Sequence, residues 1–396
     1  MTTVATATAG REVRAITLIG FGHFLSHFYM FGLAPLFRPI HDELGVTYTA
    51  LGAILTAFNV ATAVLQTPMG MLVDRFGARR VLIGGLFTTA AAFALSGLTG
   101  SYWGLLVLFL VAGAGNSVFH PADYVILTAS VDDHRHGKAY SLHSFGGALG
   151  TAAGPAGMAV LLTVTDWRSA LVIAGVIGVL LSLVFVFSGD TLREDAKRKG
   201  KGQSKLPLRS IVSRAVILLF MFYALTSAAN IAMTGFAAVF LPELYGVTVE
   251  NASYLLSVLL FSTAAGTLFG GWLADRTQRH DLVLVLAFSL YGALLLLVGT
   301  AAIPVAMVAI AFLVGGFARG IVNPSRDIMV REVAPAGALG TVFAFVSTGF
   351  NVGQGIGPLA YGAILDHAMP HAVVYLSAFF MFLSIGLLFF SRDRRL

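Results

Sequence analysis

The 396-residue chain contains no cysteine, so disulfides and thiolate metal sites are excluded, while the redox compartment stays open. Charge is scarce: Asp, Glu, Lys and Arg make up 11% of the residues, against 57% hydrophobic ones. A mean hydropathy of +0.85 excludes a soluble globular domain. No phosphate-binding glycine loop and no nucleophile constellation occur, so an ATP-driven pump or an intramembrane enzyme is not supported and no cofactor is expected. Residues 1 to 14 also lack the small-residue cleavage site of a signal peptide, so the run that follows them reads as a first span.

What is present instead is a series of apolar runs, each long enough to cross a hydrocarbon core about 30 Å thick. Twelve spans are expected, at roughly 15–38, 49–72, 81–99, 104–130, 139–164, 169–188, 213–240, 251–274, 282–300, 304–331, 339–365 and 372–390. Of the 25 Lys and Arg residues, Arg38 and Arg168 fall in outer loops and Arg319 and Arg326 within a span. The others all lie on one side if both termini are cytoplasmic, as the positive-inside rule requires. The net charge of +6 therefore reports membrane orientation and not nucleic-acid binding. Its densest cluster, Arg193 to Lys205, reads as a tether between two halves or as a contact for anionic lipid.

The chain repeats itself at an offset of 201 to 203 residues. Asn116-Ser-Val-Phe-His120-Pro121-Ala-Asp123 aligns with Arg319-Gly-Ile-Val-Asn323-Pro324-Ser-Arg326, Gly45-Val46-Thr47 with Gly246-Val247-Thr248, and Asp74-Arg75 with Asp275-Arg276. The glycines from Gly146 to Gly157 have a counterpart between Gly349 and Gly362. A duplicated six-span unit follows, with an N-terminal bundle at 1–188, a cytoplasmic linker at 189–212 and a C-terminal bundle at 213–396. The fold class expected is all-α membrane protein, built as two pseudo-symmetric six-helix bundles.

Gly70-Met-Leu-Val-Asp74-Arg75-Phe-Gly77-Ala-Arg79-Arg80 resembles the loop signature between the second and third spans of the major facilitator superfamily. Gly113-Ala-Gly-Asn-Ser-Val-Phe119-His120-Pro121, followed by Arg135-His136-Gly137 and Gly146-Gly147, is similar to the fosmidomycin-resistance branch of its exporters. The chain departs from that branch at Ala122-Asp123-Tyr124 and at Ser26-His27. The resemblance implies that spans 1, 4, 7 and 10 line a cavity. It also implies that Asp74, Arg75, Arg79, Asp275 and Arg276 gate the conformational change from the cytoplasmic helix ends.

Candidate site residues come from polar groups where hydrocarbon is expected. A charge at a span centre costs about 2.5–3.5 kcal/mol on insertion scales, so such a group should face a bundle interior or a wet cavity. Asn116, His120 and Asp123 share a helical face, as do Arg319, Asn323 and Arg326. Asp123 reads either as a proton carrier or as a fixed partner of Arg326, with His120 and His27 as further carriers. Asp327 offers Arg326 a neighbour within its own helix turn. Arg319, whose repeat mate is Asn116, reads as a counter-charge for an anionic substrate or as held by a local structural bond. His23 and His27, one turn apart, suit proton response, substrate bonding or packing better than a metal, since no third ligand matches them. Tyr223 and Asn230, in a row with Ser227 and Thr234, would line the opposite wall or serve helix packing.

The expectation is a proton-coupled secondary transporter of a small polar, anionic organic solute or drug, working by alternating access, with export by antiport ahead of import by symport. A non-transporting sensor of the same fold is the alternative from another class. The partners expected are the solute, protons and the lipid bilayer of the plasma (inner) membrane, with the chain monomeric and no nucleic acid bound.

Overall fold

The computed structural model describes residues 2–132, 135–188, 191–192, 213–334 and 339–392. The basic cluster Arg193 to Lys205, and with it most of the expected linker, lies outside them. Among the described residues there is no strand. Helices run α1 Thr2–Phe31, α2 Phe37–Leu44, α3 Tyr48–Phe76, α4 Ala78–Leu98, α5 Tyr102–Asn116, α6 Phe119–Ser130, α7 His136–Leu162 and α8 Trp167–Phe187. They continue as α9 Arg214–Tyr245, α10 Val249–Ala274, α11 His280–Gly299, α12 Val305–Val333, α13 Leu339–Asp366 and α14 Pro370–Arg392.

Eleven stretches are long and apolar enough to cross a membrane, counting α1 with α2 and α5 with α6 as one each. Helix α13 is the twelfth long helix, and its glycines, Asn351 and Gln354 dilute its hydropathy. The chain is thus a multi-pass, all-α membrane protein. The helices end where the backbone chemistry demands. Gly45 and Gly246 hold left-handed conformations (φ 62° and 65°) at the ends of α2 and α9, which L-side chains adopt at a cost. Ser101, Asp166, Ser213 and Thr248 cap α5, α8, α9 and α10 through side-chain oxygens.

The chain divides into two compact units, Met1–Val46 with Ala53–Lys199, and Thr47–Gly52 with Gly200–Leu396. In the first, α1 packs on α7 and α4 on α8. In the second, α9 packs on α13, α11 on α14 and α10 on α12. The glycine rows make these contacts possible. A methyl on Gly146, Gly150 or Gly154 would strike the backbone of Gly20, Phe24 or Phe28 in α1, and one on Gly349 or Gly353 that of Phe220 or Ala224 in α9. Asp366, at the end of α13, accepts hydrogen bonds from the backbone N–H groups of Tyr48 (2.6 Å) and Thr49 (3.0 Å) at the start of α3.

Two expected spans are not continuous. The first, expected at 15–38, ends as a helix at Phe31 and resumes as α2 at Phe37. The fourth is interrupted at Ser117 and Val118, between α5 and α6. Pro121 has no N–H to offer the carbonyl of Ser117, and the Ser117 hydroxyl turns back to the Ala114 carbonyl at 2.6 Å. Pro324, its repeat mate, sits inside an unbroken α12.

Candidate functional site

The first unit gathers four histidines and one acid. Helix α1 supplies His23, Ser26 and His27, α5 ends on Asn116, α6 carries His120 and Asp123, and α7 carries His143. His143 Nε2 lies 2.9 Å from Asp123 Oδ2, and both side chains are buried. The His23 ring stacks on that of His143 at 3.9 Å with planes 2° apart, and its Nδ1 donates to the His143 carbonyl at 2.9 Å. His27 meets the His23 ring edge-on at 4.5 Å and places Nδ1 2.8 Å from the Thr151 hydroxyl. His120 lies 5.2 Å from His23 and is exposed. Ser26 donates to Asn116 Oδ1 at 2.6 Å. The helix break therefore separates residues expected on one face: Asn116 is bonded to α1 and Asp123 to α7.

Local sequence explains the cluster's tightness. Gly147 leaves room for the imidazole of His23, since a methyl there would sit 2.6 Å from Cε1. A methyl on Gly22 would reach van der Waals distance of the Phe185 and Phe119 rings, so this stretch of α1 lies close to both.

The second unit is built around cations. Arg326 donates through Nε and Nη2 to Asp327 Oδ1, each at 3.0 Å, and its guanidinium lies 4.5 Å from the centre of the Tyr223 ring. The Tyr223 hydroxyl donates to the same carboxylate oxygen at 3.0 Å. Of the two partners weighed for Arg326, the adjacent Asp327 holds it here, while Asp123 is held by His143. Arg319 lies beside Tyr291, and its buried Nη1 has no hydrogen-bond partner; nor has the Tyr291 hydroxyl. Asn323 donates to Thr267 at 3.1 Å, and Asn230 keeps a buried Oδ1 without a partner. Ser227 donates to the Phe350 carbonyl of α13, a contact between helices, and Thr234 to the Asn230 carbonyl within its own helix.

At the helix ends, Arg75 lies over Phe76 at 5.1 Å and Arg276 over Trp272 at 4.1 Å. Arg79 donates to the Val186 carbonyl at 2.5 Å, while Asp74 and Asp275 are exposed. Among the described residues no group of three or more His, Asp or Glu has the geometry to hold a metal ion. Sequence reasoning overlooked His143 and Tyr291. For His143 the signal was available, as an ionisable residue inside the otherwise apolar fifth span.

Comparison with known proteins adds a family. The family model described as Major Facilitator Superfamily matches residues 19–248 and 220–396. The fosmidomycin resistance protein of Escherichia coli K12 is 25% identical over 98% of this chain and 96% of its own length. The "Probable sulfoacetate transporter SauU" of Cupriavidus necator is 25% identical over 84% of this chain and 82% of its own. Among solved structures, the nucleoside transporter NupG superposes with a TM-score of 0.81 over 96% of this chain and 100% of that one, at 13% identity, a likeness of fold.

Proposed function

This chain belongs to the Major Facilitator Superfamily, and we propose that it is a proton-coupled transporter of a small anionic organic solute, exporting it by antiport. The observation that carries the reading is the environment of Asp123. It is fully buried in a membrane-spanning unit, and its hydrogen-bond partner is a histidine. A carboxylate fixed by arginine would stay charged through the cycle with no group beside it to titrate; one paired with an imidazole forms a site that can gain and lose a proton as its surroundings change. His120 and His27 supply further proton-accepting nitrogens beside it.

The anionic character of the solute rests on Arg319. The nearest acid on its helix, Asp327, lies eight residues on and is bound to Arg326, and among the described residues no acid pairs with the Arg319 guanidinium, whose buried Nη1 has no partner. His23, Asn116, Tyr223, Asn230, Asn323 and Arg326 complete the proposed contacts. The names of two relatives point the same way, since fosmidomycin and sulfoacetate are both small organic anions. Asp74, Arg75, Arg79, Asp275 and Arg276 are assigned to conformational gating. The protein is placed in the plasma membrane as a monomer, with both termini cytoplasmic. Import by proton symport is the second reading, favoured by the same free arginine, which suits capture of a carboxylate or phosphonate.

The test is flux in liposomes holding a pH-sensitive dye, with labelled fosmidomycin and sulfoacetate as probes under imposed proton gradients. Probe-dependent proton movement is expected, and Asp123→Asn should abolish uphill accumulation while leaving exchange. Uphill transport retained by that variant, or probe binding with no proton movement under any gradient, would overturn the proposal.

A further inference from the structure

His143 belongs to the fifth span and is named in no part of the proposed mechanism, yet it is the residue bonded to the buried acid. Its surroundings fix where protons sit. A backbone carbonyl only accepts, so the nitrogen of His23 facing the His143 carbonyl carries hydrogen, and Nε2 of neutral His23 is a bare lone pair. That Nε2 is buried without a partner. In the His143–Asp123 contact, an ionised carboxylate requires the hydrogen on His143 Nε2, which leaves His143 Nδ1 as a second bare lone pair. It too is buried without a partner, as is Asp123 Oδ1.

Three buried acceptors without donors in one cluster are costly in a network that serves packing alone. They are what a site kept ready for protons requires. Among the described residues, the groups facing His143 are His23 and His27 from α1, His120, Asp123 and Tyr124 from α6, and Tyr140 one turn back on α7. None is a fixed cation. At the N-terminal end of the same helix pair, eight residues before His143, Arg135 is engaged with Glu12 at 3.0 Å.

We propose that Asp123 and His143 form a single proton site, in which the added proton sits on the imidazole and the carboxylate stays ionised. In the empty form the pair carries one negative charge, with hydrogen on Nε2. Uptake of one proton at Nδ1 gives imidazolium against carboxylate, electrically neutral, with no heavy atom displaced. The inference deepens the proton coupling argued above and rests on that reading only in its transport arm.

The test uses acid-minus-neutral infrared difference spectra of the purified full-length protein without substrate. Wild type should show imidazole protonation, assigned with isotope-labelled histidine, and no protonated-carboxyl band that Asp123→Asn removes. His143→Gln keeps a donor toward Asp123 but cannot become charged, so the proton should move to the carboxyl. A new protonated-carboxyl band should then appear, and be absent from the His143→Gln/Asp123→Asn double variant. An Asp123-dependent carboxyl band already present in wild type overturns the proposal, and that measurement needs no folded variant at His143. In liposomes, His143→Gln should displace the pH profile of gradient-driven probe flux while preserving exchange at fixed pH; an unchanged profile also overturns it. Should wild type move neither probe, the functional reading fails and the infrared arm still decides the proton site.

Discussion

Gly147→Ala tests whether the histidine cluster is as tightly determined as its distances imply. The added methyl would lie 2.6 Å from Cε1 and 2.8 Å from Nδ1 of His23. Carbon atoms in good contact sit about 3.5–4.0 Å apart, so the ring must move by about 1 Å. It has nowhere convenient to go. The His143 ring lies flat against it at 3.9 Å, His27 and His120 approach at 4.5 and 5.2 Å, and the Nδ1 bond to the His143 carbonyl fixes its tilt. Overpacking costs about 1–3 kcal/mol, and losing one buried hydrogen bond about 0.5–1.5. Replacing a mid-helix glycine by alanine returns about 1 kcal/mol. The net is a loss of about 0.5–3.5 kcal/mol. Gly84→Ala on α4 is the control, since no atom lies within 4 Å of its new methyl and the propensity gain stands alone. Equilibrium unfolding of both variants from the same detergent should therefore move stability in opposite directions. If Gly147→Ala is as stable as Gly84→Ala, the cluster is looser than drawn and the proton-site geometry loses its support.

Three further outcomes follow from the second unit. Arg319→Gln should weaken binding of organic anions by about tenfold or more, the scale of a hydrogen bond to a charged group, while sparing neutral analogues in the same calorimetric assay; equal losses would make the arginine structural. Asp327→Asn removes the negative charge that neutralises Arg326 while keeping an acceptor for its two 3.0 Å bonds, and because the pair is partly exposed the anion affinity should rise only a few-fold. An unchanged anion-to-neutral ratio would refute that. Asp366→Ala removes the acceptor for the first N–H groups of α3 and should cost about 0.5–2 kcal/mol in thermal unfolding, with Asp366→Asn recovering part of it; full stability in both would deny the cap its role.

The spans and the repeat were legible because hydrocarbon imposes them: a lipid-crossing segment must be long, apolar and internally hydrogen-bonded, and each requirement leaves a mark on composition. Proline positions were legible too, but their consequences were not. Pro121 and Pro324 remove the same backbone bond, yet of their two spans only the fourth breaks. The difference lies four residues earlier. Ser117 brings a hydroxyl that bonds the Ala114 carbonyl, whereas its repeat mate Gly320 is pressed against the Thr263 carbonyl and the Thr267 N–H of α10, a contact made by an intact helix. Helical spacing likewise told which residues share a face and not which residue on another helix would meet them. Asp123 and Arg326 mirror each other at an offset of 203, and the natural reading joined them. Each instead finds a counter-group inside its own unit: His143, whose repeat mate is Val346, and Asp327, whose repeat mate is Tyr124. The repeat has therefore diverged twice in each half, once at the charge and once at its partner. A pair divided across the halves would tie proton binding to anion binding by direct attraction. Under the proposed function, two self-contained pairs leave the Asp123–His143 site free to take up a proton and Arg319 free to bind, and coupling between proton and solute would then run through conformation.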